Sequence, residues 1–317
     1  MLGLLKRKKK RLSHDALHRQ LLLSGKIASR QVQLLQHLQD LASAEFSVTS
    51  QWGEDGIVEW LCHWLPQIPR TFIEIGVGNY TEANTRFLLE NRGWRGLIVD
   101  ANAEQLDQVR THDVFWRHDL NAVAAFVTAE NLNELIARAG LFGEIGLLSL
   151  DIDGNDYWVL SKIDVVSPAI LIVEVNTSFG DRHALTIPYT PGFDRRTAHS
   201  SGQYFGASIR AMIQIAAHKG FRFVGTTSSG VNAFFVRDDL AEPILKRIGE
   251  IRAYAGRHRD SRDRNGSLTF MSPERSADLA RDLPVVNTAS GATVPLESLF
   301  PLYTTAWLDR GSAAIAR

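Results

Sequence analysis

Between Thr71 and Arg237, short apolar runs alternate with helical stretches, and this alternation limits the folds open to the chain more than any other feature of its sequence. The runs are FIEIGV at 72–77, GLIVD at 96–100, VFWRHD at 114–119, GLLSLDID at 146–153 and AILIVEVN at 169–176. Continuous apolar runs of this length belong to strands covered on both faces, and so to a parallel sheet between layers of helix. The end of the region breaks the rhythm. After a helix predicted over 206–219, FRFVGTTSSGVNAFFVR at 221–237 reads as two strands joined by a Ser-Ser-Gly turn, an antiparallel hairpin. The expected architecture is α/β: a Rossmann-like, doubly wound seven-stranded sheet ending in an antiparallel hairpin. A dinucleotide-binding domain would instead keep adding crossover helices.

Three segments are expected: a basic tail and helical arm over 1–47, the sheet domain over 48–240, and a C-terminal extension over 241–317. In the arm, residues 14–46 are rich in Leu and Gln, and Leu34, Leu38 and Leu41 would share one helical face. That face can pack on the domain or meet a partner or a second copy. A further helix is predicted over 54–64, where Ile57, Trp60, Leu61 and Trp64 recur at helical spacing before Pro66. Beyond 237 a helix is expected over 239–253, then the polar stretch GRHRDSRDRNGS at 256–267, to which no chemistry is assigned.

The formal net charge is zero, yet residues 1–30 hold nine Lys/Arg against the single Asp15, so the body is mildly acidic. The run Lys6 to Arg11 is either a solvated tail or a peripheral contact with an anionic membrane surface; a nucleic-acid partner is not expected. Met1 to Leu5 is too short, and precedes the charges rather than following them, to act as a secretory signal, which points to a cytoplasmic protein. Cys62 is the sole cysteine, excluding an internal disulfide or a cysteine-based metal cluster.

The turn Glu74-Ile75-Gly76-Val77-Gly78-Asn79 follows one predicted strand and precedes a helix, so its glycines let the backbone approach a ligand at the carboxyl edge of the sheet. A dinucleotide fingerprint needs a third glycine where this chain has Thr81. A nucleoside lacking a pyrophosphate fits better, and S-adenosylmethionine, with its ribose, amino-acid group and sulfonium, suits a lining of acids and backbone groups. Candidate cofactor residues are Glu74, Gly76, Gly78, Asn79 and Asp100, the last placed to accept from ribose hydroxyls, with Asp119 for the adenine amino group. Ser50 to Asp55 is either a helix start or a segment folding Gln51 or Glu54 over the cofactor.

At the far end of the fourth and fifth strands, Asp151 and Asp153 are candidate catalytic residues. Two carboxylates so close suit either a hard divalent cation such as Mg2+, with Asn176 as a third ligand, or hydrogen bonding without metal. His183 is a candidate general base, its alternative being an ordinary loop histidine; Arg182 and His199 share that ambiguity.

Several segments, in order, carry a resemblance: SQWGEDGI (50–57), FIEIGVGNYTEANTRFLLENRGWRGLIVDAN (72–102), LSLDIDGNDYWVL (148–160), IVEVNTSFG (172–180), TIPY (186–189), YFGASI (204–209) and GVNAFFVR (230–237). Together they resemble the FkbM-like methyltransferases and their relatives in polysaccharide and natural-product gene clusters. The resemblance implies the class I methyltransferase fold, S-adenosylmethionine as donor, and a hydroxyl of a sugar, polysaccharide or secondary metabolite as acceptor. By position it assigns Glu74, Gly76, Gly78 and Asp100 to the cofactor and turns Asp151 and Asp153 toward the acceptor. Many relatives carry a Glu-containing DxEG form where this chain has Asp153-Gly154-Asn155-Asp156. The rivals are an NAD-dependent oxidoreductase, disfavoured by Thr81 and the hairpin, and a non-catalytic assembly module working through the basic arm.

Overall fold

The structure, a computed structural model, describes residues 2–315; the side chains of residues 1–15 and 310, including the basic run Lys6–Arg11, lie outside the described residues. In chain order the elements of the N-terminal half are α1 (Leu2–Gln33), α2 (Glu54–Trp64), β1 (Thr71–Ile75), α3 (Arg86–Arg92), β2 (Arg95–Asp100), α4 (Ala103–Thr111), α5 (Asp113–Arg117), β3 (Leu120–Ala124) and α6 (Leu132–Arg138). They continue with β4 (Gly143–Leu150), α7 (Asp156–Lys162), β5 (Val166–Glu174), β6 (Leu185–Thr186), α8 (Arg195–Ala198), α9 (Ile209–His218), β7 (Phe221–Thr226), β8 (Asn232–Arg237) and α10 (Asp238–Leu245).

Seven strands form one sheet in the order β3-β2-β1-β4-β5-β8-β7. The first five run parallel, and β8 lies antiparallel to both β5 and β7. All five residues of β1 and the last six of β4 are buried, as central strands covered on both faces must be. Order reverses at β1 and β4, and ligand crevices in open α/β sheets lie outside the carboxyl ends at such a switch.

One predicted strand is a helix. VFWRHD supplies α5, in which only Val114 is buried, Trp116 is 68% exposed and Arg117 pairs with Asp113 one turn back, a spacing that only a helix brings together. The true third strand is the less apolar LNAVA that follows. The arm also differs from expectation: α1 stops at Gln33, leaving Leu34 79% exposed, while Leu38 makes a bridge to Ile248. α10, with Pro243 inside it, is shorter than the helix predicted over 239–253.

α1 docks on the domain through a buried carboxylate. Glu59 of α2 is 1% exposed and accepts from Ser29 Oγ at 2.5 Å, Gln33 Nε2 at 3.3 Å, Asn91 Nδ2 at 3.2 Å and Arg92 Nε at 2.9 Å, joining α1, α2 and α3. The C-terminal region adds β9 (Arg252–Tyr254), α11 (Pro273–Ala277), β10 (Pro284–Asn287), β11 (Ala292–Pro295), α12 (Thr305–Arg310) and β12 (Ser312–Ala314). β10 pairs with β6 and β11, and a small second core including Phe179, Leu185, Val285 and Leu302 seals it against the domain. No described helix is long and apolar enough to cross a membrane.

Removing the buried Glu59 carboxylate strands the donors that converge on it. Glu59→Ala is expected to cost about 3 kcal/mol in urea denaturation, against less than about 0.5 kcal/mol for exposed Glu134→Ala; equal costs would mean that α1 is not held through this carboxylate.

Candidate active site

The ends of β1, β2, β4 and β5 open into a cleft of about 760 Å³. Two glycines shape its floor. Gly76 has φ +86°, and a Cβ there would lie 1.5 Å from the Asp151 carbonyl oxygen, so only glycine lets the ends of β1 and β4 come together. Gly78, at φ +53°, donates its amide to Asp100 Oδ2 at 2.7 Å, while Asp100 Oδ1 accepts from Asn102 N at 2.7 Å. Asp100 lines the cleft, and with one bond accepted at each oxygen its carboxylate retains the capacity to receive two neighbouring hydroxyls.

Glu74 belongs to the support rather than to the lining. It is 4% exposed and accepts from Asn84 N at 2.7 Å, Thr85 N at 3.0 Å and Thr85 Oγ1 at 2.5 Å, so it clamps the far end of the glycine loop. Burial pushes its pKa up to about 7. Asn79 turns away from the cleft, its Oδ1 accepting from Thr81 N at 3.1 Å. Its expected contact with a cofactor is corrected: the side chain shapes its own turn.

Gln51 and Trp52 line the opposite wall. Glu54, which sequence left ambiguous, positions them: its Oε2 accepts from Trp52 N at 2.8 Å and its Oε1 from Asn232 Nδ2 at 2.7 Å, tying the loop to β8. Asp55 accepts from the amides of Val48, Thr49 and Ser50. Trp52 Nε1 is buried without a partner.

At the ends of β4 and β5, Asp151, Asp153 and Glu174 each bring a carboxylate oxygen within 4.8 Å of the others. Burial raises the Asp151 and Glu174 pKa values well above the ordinary range, and the neighbouring carboxylates raise them further. Both carboxyl groups therefore favour the protonated form, and they lie close enough to influence one another. Glu174 is 8% exposed, and its Oε2 has no partner among the described residues. Sequence reading passed over Glu174 and chose Asn176 as the third oxygen ligand. Asn176 is fully buried and fully used: its Nδ2 donates to the carbonyls of Gln203 and Phe205, both at 2.9 Å, and its Oδ1 accepts from Ser178 N. The short 3-10 turn after β5 needs it there, and the metal assignment of Asn176 is withdrawn.

The rim was missed almost entirely. Arg195 Nη1 pairs with Asp153, its Nη2 with Asp260 at 2.9 Å, its Nε donates to the Gly202 carbonyl at 3.0 Å, and its guanidinium lies 4.2 Å from the Phe205 ring centroid. Burial works against its charge, but Asp153 and Glu174 outweigh that and raise its pKa, so Arg195 is a fixed cation. Asp260 also accepts from Gln203 Nε2 at 2.9 Å. Thus the polar stretch at 256–267 folds back over the cleft, where His258, Arg259 and Asp260 line it together with Leu268. The only sequence signal was charge density, RHRDSRDR facing DRR at 194–196, which by itself describes any solvated loop.

Four further candidates from the sequence fall elsewhere. Asp119 precedes β3 instead of following it, because VFWRHD is a helix; its carbonyl accepts from Gly96 N at the opposite end of the sheet. His183 does not line the cleft; it sits before β6, its carbonyl accepting from Ser208 Oγ at 2.8 Å. Arg182 is exposed outside the cleft, and His199 bonds Ser201 Oγ at 2.8 Å.

The strand order with its terminal hairpin is that of the class I methyltransferase fold. No family model matches the chain, and no curated protein matches it either. Solved structures do, distantly. The N-terminal domain of EvdMO1 in the presence of SAH and D-fucose is 11% identical over 57% of this chain and 80% of its own, with a TM-score of 0.36. An O-methyltransferase from Bacillus cereus in complex with SAH is 16% identical over 67% of this chain and 79% of its own, at 0.35. An O-methyltransferase family protein from Burkholderia thailandensis is 13% identical over 58% of this chain and 59% of its own, at 0.35. With scores so low, the fold rests on the strand order itself.

Because the folded Glu174 carboxyl keeps its proton where the unfolded chain has lost it, stability falls as pH rises from about 4.5 through the folded pKa. Glu174→Gln removes that loss. In the presence of a chelator, the variant is expected to melt above the parent near pH 8, with the gap narrowing toward pH 5; a gap independent of pH in calorimetry would refute the assignment.

Proposed function

We propose that the chain is an S-adenosylmethionine-dependent methyltransferase acting on a hydroxyl oxygen, of the FkbM-like kind that the sequence resembles. The observation that carries this reading is the juxtaposition in one cleft of a carboxylate anchored by two backbone amides, Asp100, and a close cluster of acids, Asp151, Asp153 and Glu174. The lining fits the nucleoside. Phe126 and Val127, just past β3, offer an apolar wall for a purine, taking the place assigned to Asp119 from sequence. Trp52 Nε1, buried and without a partner, is a donor for a carboxylate or a ribose oxygen. No third glycine supports a pyrophosphate: Thr81 lies on the exposed outer turn with Asn79.

When bound, S-adenosylmethionine would supply an electrophilic methyl group on a sulfonium. Asp100 would orient the ribose, and the backbone beside Gly76 and Gly78 would hold the amino-acid end close to β4. The unprotonated member of the Asp151–Glu174 pair would accept the proton of the acceptor hydroxyl as its oxygen attacks. Arg195 would hold Asp153 and the rim in place and would stabilise the anionic form of the pair. Alignment of acceptor and donor in the cleft would supply much of the remaining acceleration.

Mg2+ fits the same acids. Asp151, Asp153 and Glu174 are hard oxygen donors close enough to share one cation, which would polarise the acceptor hydroxyl. A chelator that abolishes turnover, with recovery on adding Mg2+, would support the metal; unchanged turnover would assign the proton to the acid pair alone.

Isothermal titration tests the core of the reading. The full chain is expected to bind S-adenosylmethionine, and Asp100→Ala to weaken it by about tenfold or more through loss of two charge-assisted hydrogen bonds. Failure to bind, with NAD binding in its place, would end this reading. With an accepted substrate, Asp151→Asn is expected to lower kcat by about 10² to 10⁴ while cofactor affinity holds.

A further inference from the structure

We infer that the acceptor half of the cleft is built for an anionic sugar, a polyhydroxylated ring bearing a carboxylate or a phosphate; the inference rests on the methyltransferase reading of the same site. The charges there fall into two layers. At the floor lie the acids Asp151, Asp153 and Glu174. Around the mouth lie Arg195, Arg196, Arg259 and Asp260. Arg195 ties floor to mouth, pairing with both Asp153 and Asp260. Arg196 and Arg259 are left over. Both line the cleft, and among the described residues neither side chain has a carboxylate within ion-pair distance. Each adjoins in sequence one member of the Arg195–Asp260 pair, and their guanidinium groups offer forked donors that match a carboxylate or phosphate.

The wall between these layers also asks for a ligand, and for one of a particular chemistry. Asn155 is 3% exposed and lines the cleft; its Nδ2 donates to the Thr190 carbonyl at 2.7 Å, but its Oδ1 has no partner. Burial lowers the His258 pKa, with Asp260 opposing and Arg195 adding to the effect, and its buried Nδ1 also has no partner among the described residues. An unpaired buried acceptor costs about 1 to 3 kcal/mol, which a hydroxyl donor from a ligand would relieve. Phe193 and Phe205 offer ring faces between them, and Arg195 already covers part of Phe205. Buried acceptors for hydroxyls, apolar faces for ring C–H groups and free guanidinium groups at the mouth together select a sugar with a negative group several bonds from the methylated oxygen.

The test is calorimetric titration of the full chain with glucuronate, glucose 1-phosphate and glucose, each with and without S-adenosylhomocysteine. At least one anionic sugar is expected to bind about tenfold more tightly than glucose, and whichever is tighter names the group recognised. The double variant Arg196→Gln, Arg259→Gln is expected to erase that preference while its affinity for S-adenosylhomocysteine stays within about twofold. Arg196 and Arg259 are exposed, so the fold should survive, as far-UV circular dichroism will check. Glucose binding as tightly as both anions, no anion binding, or a preference that survives the double substitution would each overturn the inference. Failure of S-adenosylhomocysteine to bind, with the anion preference intact, would sink the methyltransferase reading and leave the rim assignment standing.

Discussion

The site depends on a carboxylate that never meets the cleft. Glu74, buried at the end of β1, takes the amides of Asn84 and Thr85 and the Thr85 hydroxyl, closing an arch over residues 76–85. Held at its far end, the arch can carry Gly76 and Gly78 in left-handed conformations, with Gly76 against the β4 backbone and Gly78 on Asp100. Burial raises the Glu74 pKa to about 7, so this clamp is near its titration point in neutral solution. A group that supports a site can thus be as perturbed as one that works in it, and perturbation alone does not identify function.

Much of the architecture was legible because parallel strands buried on both faces leave continuous apolar runs and a hairpin leaves a short polar turn. The third strand was misread for a physical reason. Edge strand LNAVA is built from small, half-exposed residues, whereas the neighbouring helix α5 carries the aromatic residues and so imitates a strand. That single slip moved Asp119 from one end of the sheet to the other. The floor of the cleft, Gly76, Gly78, Asp100, Asp151 and Asp153, could be named because strand ends lie a fixed distance from apolar runs. Glu174 lay in the run itself and was passed over beside the more conspicuous Asn176, whose amide is consumed by the turn it builds.

The rim could not be read at all. Arg195 and Asp260 are 65 positions apart and meet only because α8 and the 256–268 loop fold over one edge of the sheet. No periodicity announces such a meeting, since neither segment is a regular element of any length. The C-terminal region, which offered no chemistry on its own, acquires it through β6, where β10 joins the sheet domain and closes a small core beneath the loop.

Floor and rim are therefore made of different material. The floor is strand ends and glycine turns, each locked by a contact that tolerates little change, as the Gly76 approach to Asp151 illustrates. The rim is loop, tied to the floor by the Arg195 guanidinium and by the side-chain amides of Asn155 and Asn176. Descendants of such a chain could exchange the loop wholesale and inherit a new clientele of acceptors, provided that the replacement still offers an acid where Asp260 stands to complete the hinge-pin. Diversity would then accumulate at the mouth while the chemistry beneath it is passed on unaltered.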